Sequence, residues 1–159
     1  MQHPTHEDDV LSALLFLLSP DSPCPTDSIT LIGHSCGAFL CCSVAAHPSL
    51  QGAVKAIIGI EGIYNLPYLL EEYPDYDVFL RQAFNEDWPA LDLKALRNIP
   101  IMIAHSKEDE LLSLKQCRWM FASLGEREVD TVLDVDTLKG GHDDLLDLEA
   151  VRWLILEKF

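Results

Sequence analysis

The stretch Gly33-His34-Ser35-Cys36-Gly37 has the pattern G-x-S-x-G, and its flanks give it a structural setting. The run 29–32 before it (Ile-Thr-Leu-Ile) is apolar and β-branched, which predicts a buried strand. The apolar run 38–46 after it predicts a helix that is packed on most sides. A serine in a tight turn between a strand and a helix is the setting of a nucleophile elbow, which exposes the serine hydroxyl.

The predicted elbow would give Ser35 the surroundings that a nucleophile needs. We expect glycine at positions 33 and 37 because the turn crowds the backbone beside the serine. The N-terminus of the following helix favours negative charge, and the backbone N–H of Cys36 is placed to bind an oxyanion. Because a serine hydroxyl is a poor nucleophile at neutral pH, the motif requires a histidine base and an orienting carboxylate elsewhere in the chain.

Strands and helices alternate along the rest of the chain. Buried or alternating apolar runs predict further strands at 53–60, 99–104 and 128–135, and helical spacing predicts helices at 8–18, 110–124 and 144–158. Segment 64–96 is rich in aromatic residues, proline and acid, and it predicts a cap of short helices and loops over the carboxyl edge of the sheet. Residues 1–159 are therefore predicted to form a single α/β domain of three layers, with about four parallel strands and flanking helices.

The candidate base and acid come after the later predicted strands. In a parallel sheet, ligands bind at the carboxyl ends of the strands. His142 follows the last predicted strand, and Gly140-Gly141 before it would let a loop bring its ring over the sheet. The candidate acid lies among Glu108, Asp109 and Glu110, just beyond strand 99–104, and spacing does not choose between the three. Glu110 also fits the first turn of the helix predicted at 110–124.

Composition argues against several classes of function. A net charge of -15 in 159 residues disfavours binding to nucleic acid or to an anionic membrane surface. The five cysteines include no C-x-x-C pair, which disfavours a disulfide framework or a structural zinc site and favours a cytoplasmic location. His3 and His6 are spaced like metal ligands but have no cysteine beside them, so we expect no metal there.

Four further segments carry a resemblance to a known family. They are residues 61–66, the tyrosine-rich stretch 72–84, residues 105–116 and Gly141-His142-Asp143. From about Asp8 to its C-terminus the chain resembles the fungal kynurenine formamidases (arylformamidases) of the α/β-hydrolase superfamily. The resemblance aligns Asp109 with the acid of that family's triad, and it implies a catalytic triad of Ser35, Asp109 and His142.

The resemblance also implies a reaction. That family hydrolyses N-formyl-L-kynurenine to L-kynurenine and formate, in the tryptophan catabolism that leads toward NAD. It would use Ser35 to form a formyl-serine intermediate, with no cofactor. Aromatic residues of the cap segment, among them Tyr64, Tyr73 and Phe84, are candidates for substrate binding. A carboxylesterase of the same superfamily, which would use the same triad, is the alternative.

The sequence departs from the family in its oxyanion loop. Family members carry an upstream H-G-G-x-W segment, whereas the only Gly-Gly pair of this chain is Gly140-Gly141. We therefore expect an N-terminally truncated and catalytically impaired hydrolase, in which Cys36 N–H is the lone oxyanion donor. Losing one such donor lowers the rate by about 10²–10³-fold. We also expect strand 29–32 to lie at an open sheet edge, which favours a homodimer.

Overall fold

Parallel strands alternate with helices in the fold, as the hydrophobic pattern predicts. The structure, a computed structural model, describes residues 2–84, 88–144 and 149–157. Its elements, in chain order, are α1 (Thr5–Leu17), β1 (Ile29–His34), α2 (Cys36–Ala45), β2 (Val54–Ile60), α3 (Leu66–Glu72), α4 (Asp77–Phe84), β3 (Ile101–Ala104), α5 (Lys115–Gly125), β4 (Thr131–Asp134) and α6 (Glu149–Glu157). Short 3₁₀ turns lie at Pro48–Leu50 and Pro74–Tyr76. None of the helices described is long and apolar enough to span a membrane.

The four strands form one parallel sheet in the order β1-β2-β3-β4. Gly33 pairs with Gly59, and Ile60 pairs with Ala104, so the carboxyl ends of the strands lie side by side. Within the described part of the chain, β1 and β4 are the edge strands. The side of β1 that faces away from β2 has no strand partner among the described residues. The expected open edge at β1 is therefore confirmed. The prediction that run 29–32 is buried is wrong in part, because Leu31 is buried whereas Thr30 and Ile32 are exposed on the opposite face.

Apolar side chains cover both faces of the sheet and make the three layers. The larger cluster packs α2 and α5 against one face, around Ile57 and Ile103, and partly buried leucines of α1 border it. The smaller cluster packs α6 through Leu154 against Ile58 and Met102 on the other face. Burial of this kind supplies about 25 cal/mol per Å² of apolar surface, which fixes the sheet between its helices.

The helices of the cap segment are short, as predicted. α3, the 3₁₀ turn at Pro74–Tyr76 and α4 follow one another, and a third apolar cluster joins Leu66, Leu69 and Leu80 to Leu112. This cluster attaches α3 and α4 to the loop that follows β3. Residues 85–87 of the predicted cap lie outside the described residues.

Three predicted helices differ from the observed ones, and the first of them, α1, begins at Thr5, three residues before the predicted start. α5 begins at Lys115, five residues later than helical spacing predicts, because the preceding acidic residues bind other groups. The Asp109 carboxylate closes a turn there by accepting hydrogen bonds from the N–H groups of Leu111 and Leu112. The described part of the last predicted helix is Glu149–Glu157, and residues 145–148 and 158 lie outside the described residues.

The turn between β1 and α2 requires glycine at one of its two glycine positions. A Cβ atom on Gly33 would overlap the carbonyl of Gly37 and lie 2.6 Å from the backbone nitrogen of Ala38. A Cβ on Gly37 would meet no described atom within 4 Å. The expectation of a steric need for glycine is therefore right for Gly33 and wrong for Gly37, whose side-chain position faces open space.

Substituting the two glycines separately tests this account of the turn. We expect Gly33→Ala to lower the free energy of unfolding by about 2 kcal/mol or more, because backbone atoms must move to admit the methyl group. Gly37→Ala is the matched control, and it should be neutral or stabilising by up to about 1 kcal/mol, since it adds a good helix former to α2. Urea denaturation of both variants measures the difference. Equal loss of stability in both would contradict the steric argument.

Candidate active site

Ser35 lies in the sharp turn that the sequence predicts. Its N–H donates to the Ile60 carbonyl (3.0 Å), and its own carbonyl accepts from the N–H groups of Ala38 and Ile63 (both 3.1 Å). Its φ is +54°, in the left-handed region, where a residue other than glycine carries about 1–3 kcal/mol of strain. Cys36 begins α2, so its N–H has no acceptor within the helix and stays available as an oxyanion donor.

The structure brings the predicted acid and base together. His142 Nδ1 donates to Asp109 Oδ2 at 2.8 Å, and the Asp109 side chain is fully buried. The other Asp109 oxygen accepts from two backbone N–H groups, which fixes the carboxylate. This pairing leaves Nε2 as the His142 nitrogen that can accept a proton. Among the described residues, Ser35 Oγ makes no hydrogen bond to His142, a separation that is common in enzymes without bound substrate.

The two acids that flank Asp109 hold the backbone of the histidine loop. Glu108 Oε2 accepts from the N–H of Gly140 (2.9 Å), and Glu110 Oε2 accepts from the N–H of His142 (3.0 Å). A Cβ on Gly141 would lie 2.5 Å from the same Glu110 oxygen, so glycine at 141 lets the carboxylate reach the backbone. The alternative reading of Glu110, as a residue in the first turn of a helix, is wrong because α5 begins after it.

His105 is a second imidazole in contact with the Asp109 carboxylate. Its side chain is fully buried, and its Nε2 lies 3.1 Å from the Leu112 carbonyl and 3.2 Å from Asp109 Oδ2. Burial holds the pKa of His105 below its ordinary value, so the ring is neutral and contributes one N–H donor. Asp109 Oδ2 therefore faces two imidazole rings, of which the fully buried His105 is the structural one.

Glu61 is a site residue that sequence analysis did not assign. It follows β2 directly, its side chain is fully buried, and its Oε2 lies 3.6 Å from His142 Nδ1. The same oxygen lies 3.6 Å from Nε2 of His34, the residue before the serine. Burial, together with the negative charge of Asp109, raises the pKa of Glu61 to about 8. Its position at the carboxyl end of a central strand is the signal that could have identified it.

His34 links the elbow to the histidine loop. Its Nε2–H donates to the His142 carbonyl (3.0 Å), and the two ring centroids lie 4.6 Å apart. Burial lowers the pKa of His34, which favours a neutral ring between the two loops. The structure therefore places His34 as a packed neighbour of the site.

Three groups of side chains bring potential metal ligands within 4.8 Å of one another in the described part of the chain. Two of them share His142, one with Glu61 and Asp109 and the other with His34 and Asp143, so their atoms belong to the site described above. The third group is His3, His6 and Glu7 on α1 and the residues before it. The expectation of no metal and no cofactor stays a prediction.

An apolar cavity of about 360 Å³ opens beside Cys36. Most of its lining is contributed by α2 and by the helices of the cap, through Phe39, Leu40, Ile63, Leu66, Phe79, Leu80, Ala83 and Phe84. Of the three predicted substrate-binding residues, Phe84 lines this cavity. Tyr73 instead stacks on Tyr76, with ring centroids 5.4 Å apart, and Tyr64 is buried in the main core.

Comparison with solved structures shows the fold. A carboxylesterase from Lactobacillus plantarum (Cest-2923) superposes with a TM-score of 0.72 and 14% identity, over 92% of this chain and 58% of that one. MGS-M1, an α/β hydrolase from a deep-sea metagenome library, superposes with a TM-score of 0.66 and 18% identity, over 96% of this chain and 61% of that one. The chain therefore has the α/β-hydrolase fold, as predicted.

Comparison with curated sequences shows the family, although no family model matches the chain. The kynurenine formamidase of Eremothecium gossypii is 32% identical, over 98% of this chain and 72% of that protein. The kynurenine formamidase of Meyerozyma guilliermondii is 30% identical, over 99% of this chain and 66% of that protein. The chain thus spans about two thirds to seven tenths of the length of these relatives. It belongs to the kynurenine formamidase family of α/β hydrolases.

Proposed function

We propose that this chain hydrolyses N-formyl-L-kynurenine to L-kynurenine and formate through acyl transfer to Ser35. The observation that carries the proposal is the 2.8 Å hydrogen bond between His142 and Asp109, at the sheet edge where the elbow presents Ser35. The relatives that bear the name kynurenine formamidase support the choice of substrate. Ser35 is the nucleophile, His142 the general base and acid, and Asp109 the carboxylate that orients the ring.

The proposed reaction has two steps. Ser35 Oγ attacks the formyl carbon while His142 Nε2 takes the hydroxyl proton, and the oxyanion accepts a hydrogen bond from Cys36 N–H. The C–N bond then breaks as His142 returns the proton to the arylamine nitrogen, which leaves a formyl ester on Ser35. Water attacks this ester with His142 again as base, and formate departs as the serine is restored.

The surroundings of Ser35 suit a formylated arylamine. A formyl group carries only hydrogen on its acyl carbon, so the acyl side of the site needs little room. The aryl ring would enter the apolar cavity beside Cys36, where Phe79 and Phe84 offer aromatic surface. This assignment makes the cavity the source of substrate affinity and the Asp109–His142 pair the source of the chemistry.

Replacing the nucleophile tests the proposal directly. Ser35→Ala should lower the rate of N-formyl-L-kynurenine hydrolysis by about 10⁴-fold or more, since the acyl intermediate cannot form. It should also abolish labelling by a fluorophosphonate probe. Ser49→Ala, at an exposed serine beyond α2, is the matched control and should change neither measurement.

The other outcomes of this experiment separate the alternatives. Labelling of Ser35 with turnover of p-nitrophenyl esters but not of N-formyl-L-kynurenine would contradict the formamidase and favour the carboxylesterase. A folded protein that neither labels nor turns over either substrate would contradict both and favour a catalytically impaired hydrolase.

The backbone contact of Glu110 gives a second test. Glu110→Ala removes the acceptor of the His142 N–H, so the ring loses part of its support. We expect kcat/KM to fall about 10–100-fold with little change in KM, because small displacements of a catalytic group carry costs of this order. Glu126→Ala, at an exposed acid just after α5, is the control. Unchanged kcat in Glu110→Ala would show that the loop holds its position without this carboxylate.

Substitutions at two adjacent residues of α4 test whether the cavity binds the substrate. Phe79 lines it, whereas Val78 is 68% exposed and does not. We expect Phe79→Ala to raise KM for N-formyl-L-kynurenine about 3–10-fold, which corresponds to the loss of about 1 kcal/mol of apolar contact. Val78→Ala should leave KM unchanged. Equal KM values in the two variants and the unaltered chain would place the aryl ring elsewhere.

The homodimer and the cytoplasmic location stay predictions. The open edge of β1 and the exposed Ile32 support a homodimer. All five cysteines are free thiols, which suits a reducing compartment such as the cytoplasm.

A further inference from the structure

Glu61 lowers the stability of the folded chain at the position that it occupies. Its side chain has no solvent exposure, and neither of its carboxyl oxygens makes a well-formed hydrogen bond among the described residues, although the Ser106 backbone N–H lies near enough to act weakly on the group. Its φ is +46°, in the left-handed region that strains every residue except glycine. Since an unpaired buried polar group and a strained backbone both reduce stability, a structural role does not account for this residue.

The Glu61 carboxyl group faces two rings whose N–H groups are already engaged. Its Oε2 lies 3.6 Å from His142 Nδ1 and 3.6 Å from His34 Nε2, within reach of an ion pair but beyond hydrogen-bond distance. His142 Nδ1–H donates to Asp109, and His34 Nε2–H donates to the His142 carbonyl. Glu61 therefore lies behind the base as a second carboxyl group that touches neither the serine nor the hydrogen bond of the triad.

The charges around Glu61 decide its protonation state. Asp109 and Glu110 face it from the loop after β3, and Asp143 faces it from the loop after β4. Their negative charges and burial disfavour a second anion, and the smaller, opposite effect of the Ser106 backbone N–H does not offset them. With its pKa raised to about 8, Glu61 is mostly protonated near neutral pH and adds no further negative charge beside His142.

We propose that Glu61 is a positioning residue for the His142 imidazole. The uncharged Glu61 carboxyl group packs against the ring, and the ionised group places a second negative charge beside it. The proposal rests on the catalytic role of His142 proposed above. An anion 3.6 Å from Nδ1 stabilises the imidazolium that forms as Ser35 attacks. Ionisation of Glu61 at alkaline pH therefore speeds acylation of Ser35, although Glu61 does not contact the substrate.

Labelling of Ser35 by a fluorophosphonate, measured from pH 6 to 10, tests the catalytic part of the proposal in the full chain. We expect the unaltered chain and Glu61→Gln to be labelled at similar rates at low pH, where Glu61 is neutral. Above pH 8 the unaltered chain should label about tenfold faster than Glu61→Gln, because an opposite charge within about 4 Å shifts a titration by about one pKa unit or more. Glu72→Gln, at a half-buried residue whose Oε2 is inaccessible and has no hydrogen-bond partner among the described residues, is the control and should keep the alkaline rise.

The dependence of stability on pH gives a readout that needs no activity. The folded-state pKa of Glu61 is raised to about 8 from an ordinary value of 4.5, so the folded chain holds a proton that the unfolded chain releases. Its stability should therefore fall as pH rises from 4.5 to 8, relative to the Gln variant. If Glu61→Gln fails to fold, infrared spectroscopy of the unaltered chain should show a protonated-carboxyl band near neutral pH that disappears around pH 8.

The outcomes separate this proposal from the proposed function. Labelling with the expected pH difference, but no turnover of N-formyl-L-kynurenine, would overturn the formamidase assignment and support Glu61. Superimposable pH profiles of the unaltered chain and Glu61→Gln would overturn the role of Glu61 even where turnover is observed. A fall in thermal midpoint on adding EDTA, in the unaltered chain and not in Glu61→Gln, would also overturn it by assigning these carboxylates to a metal.

Discussion

The main chain of Ser35 is the constraint on which the rest of the site depends. Its N–H binds the end of β2, and its carbonyl binds both the first turn of α2 and the loop after β2. These three hydrogen bonds hold a left-handed φ that the residue would not adopt alone. They require the close approach of β1 to α2, which Gly33 allows by having no side chain. Because the loop after β2 is tied to the same residue, the serine and Glu61 are positioned together.

The acidic run after β3 shows how consecutive residues of one type can serve one loop. Glu108, Asp109 and Glu110 bind, respectively, the Gly140 N–H, the His142 ring and the His142 N–H. Because these three side chains bind the histidine loop, the segment that carries them is not helical, and α5 begins only at Lys115. The histidine loop is therefore held by carboxylates at two backbone positions and at its ring, and it carries glycine at 141 because Glu110 approaches so closely.

The strands and the elbow could be predicted because each depends on local pattern. Apolar runs identify β1, β2 and β3, and G-x-S-x-G lies at the junction where its turn forms. Spacing could not choose among three adjacent carboxylates, since that choice depends on the loop that arrives from β4; the family resemblance favoured Asp109, and the structure pairs Asp109 with His142. Glu61 lies at a strand end that the sequence predicts, but it was given no role because its burial and raised pKa arise only in the folded chain. The need for glycine at 37 was overestimated because sequence does not report which side of a turn faces open space.

The acidity of the sheet edge bears on the fate of an anionic product. Glu61, Asp109, Glu110 and Asp143 all act on the same small region, in a chain whose net charge is -15. Formate, the anion proposed to leave the serine ester, would be repelled there as soon as it forms. The neutral formamide pays no such electrostatic cost on entry. The same carboxyl groups that arrange the histidine would thus favour release of the small acid in the proposed reaction.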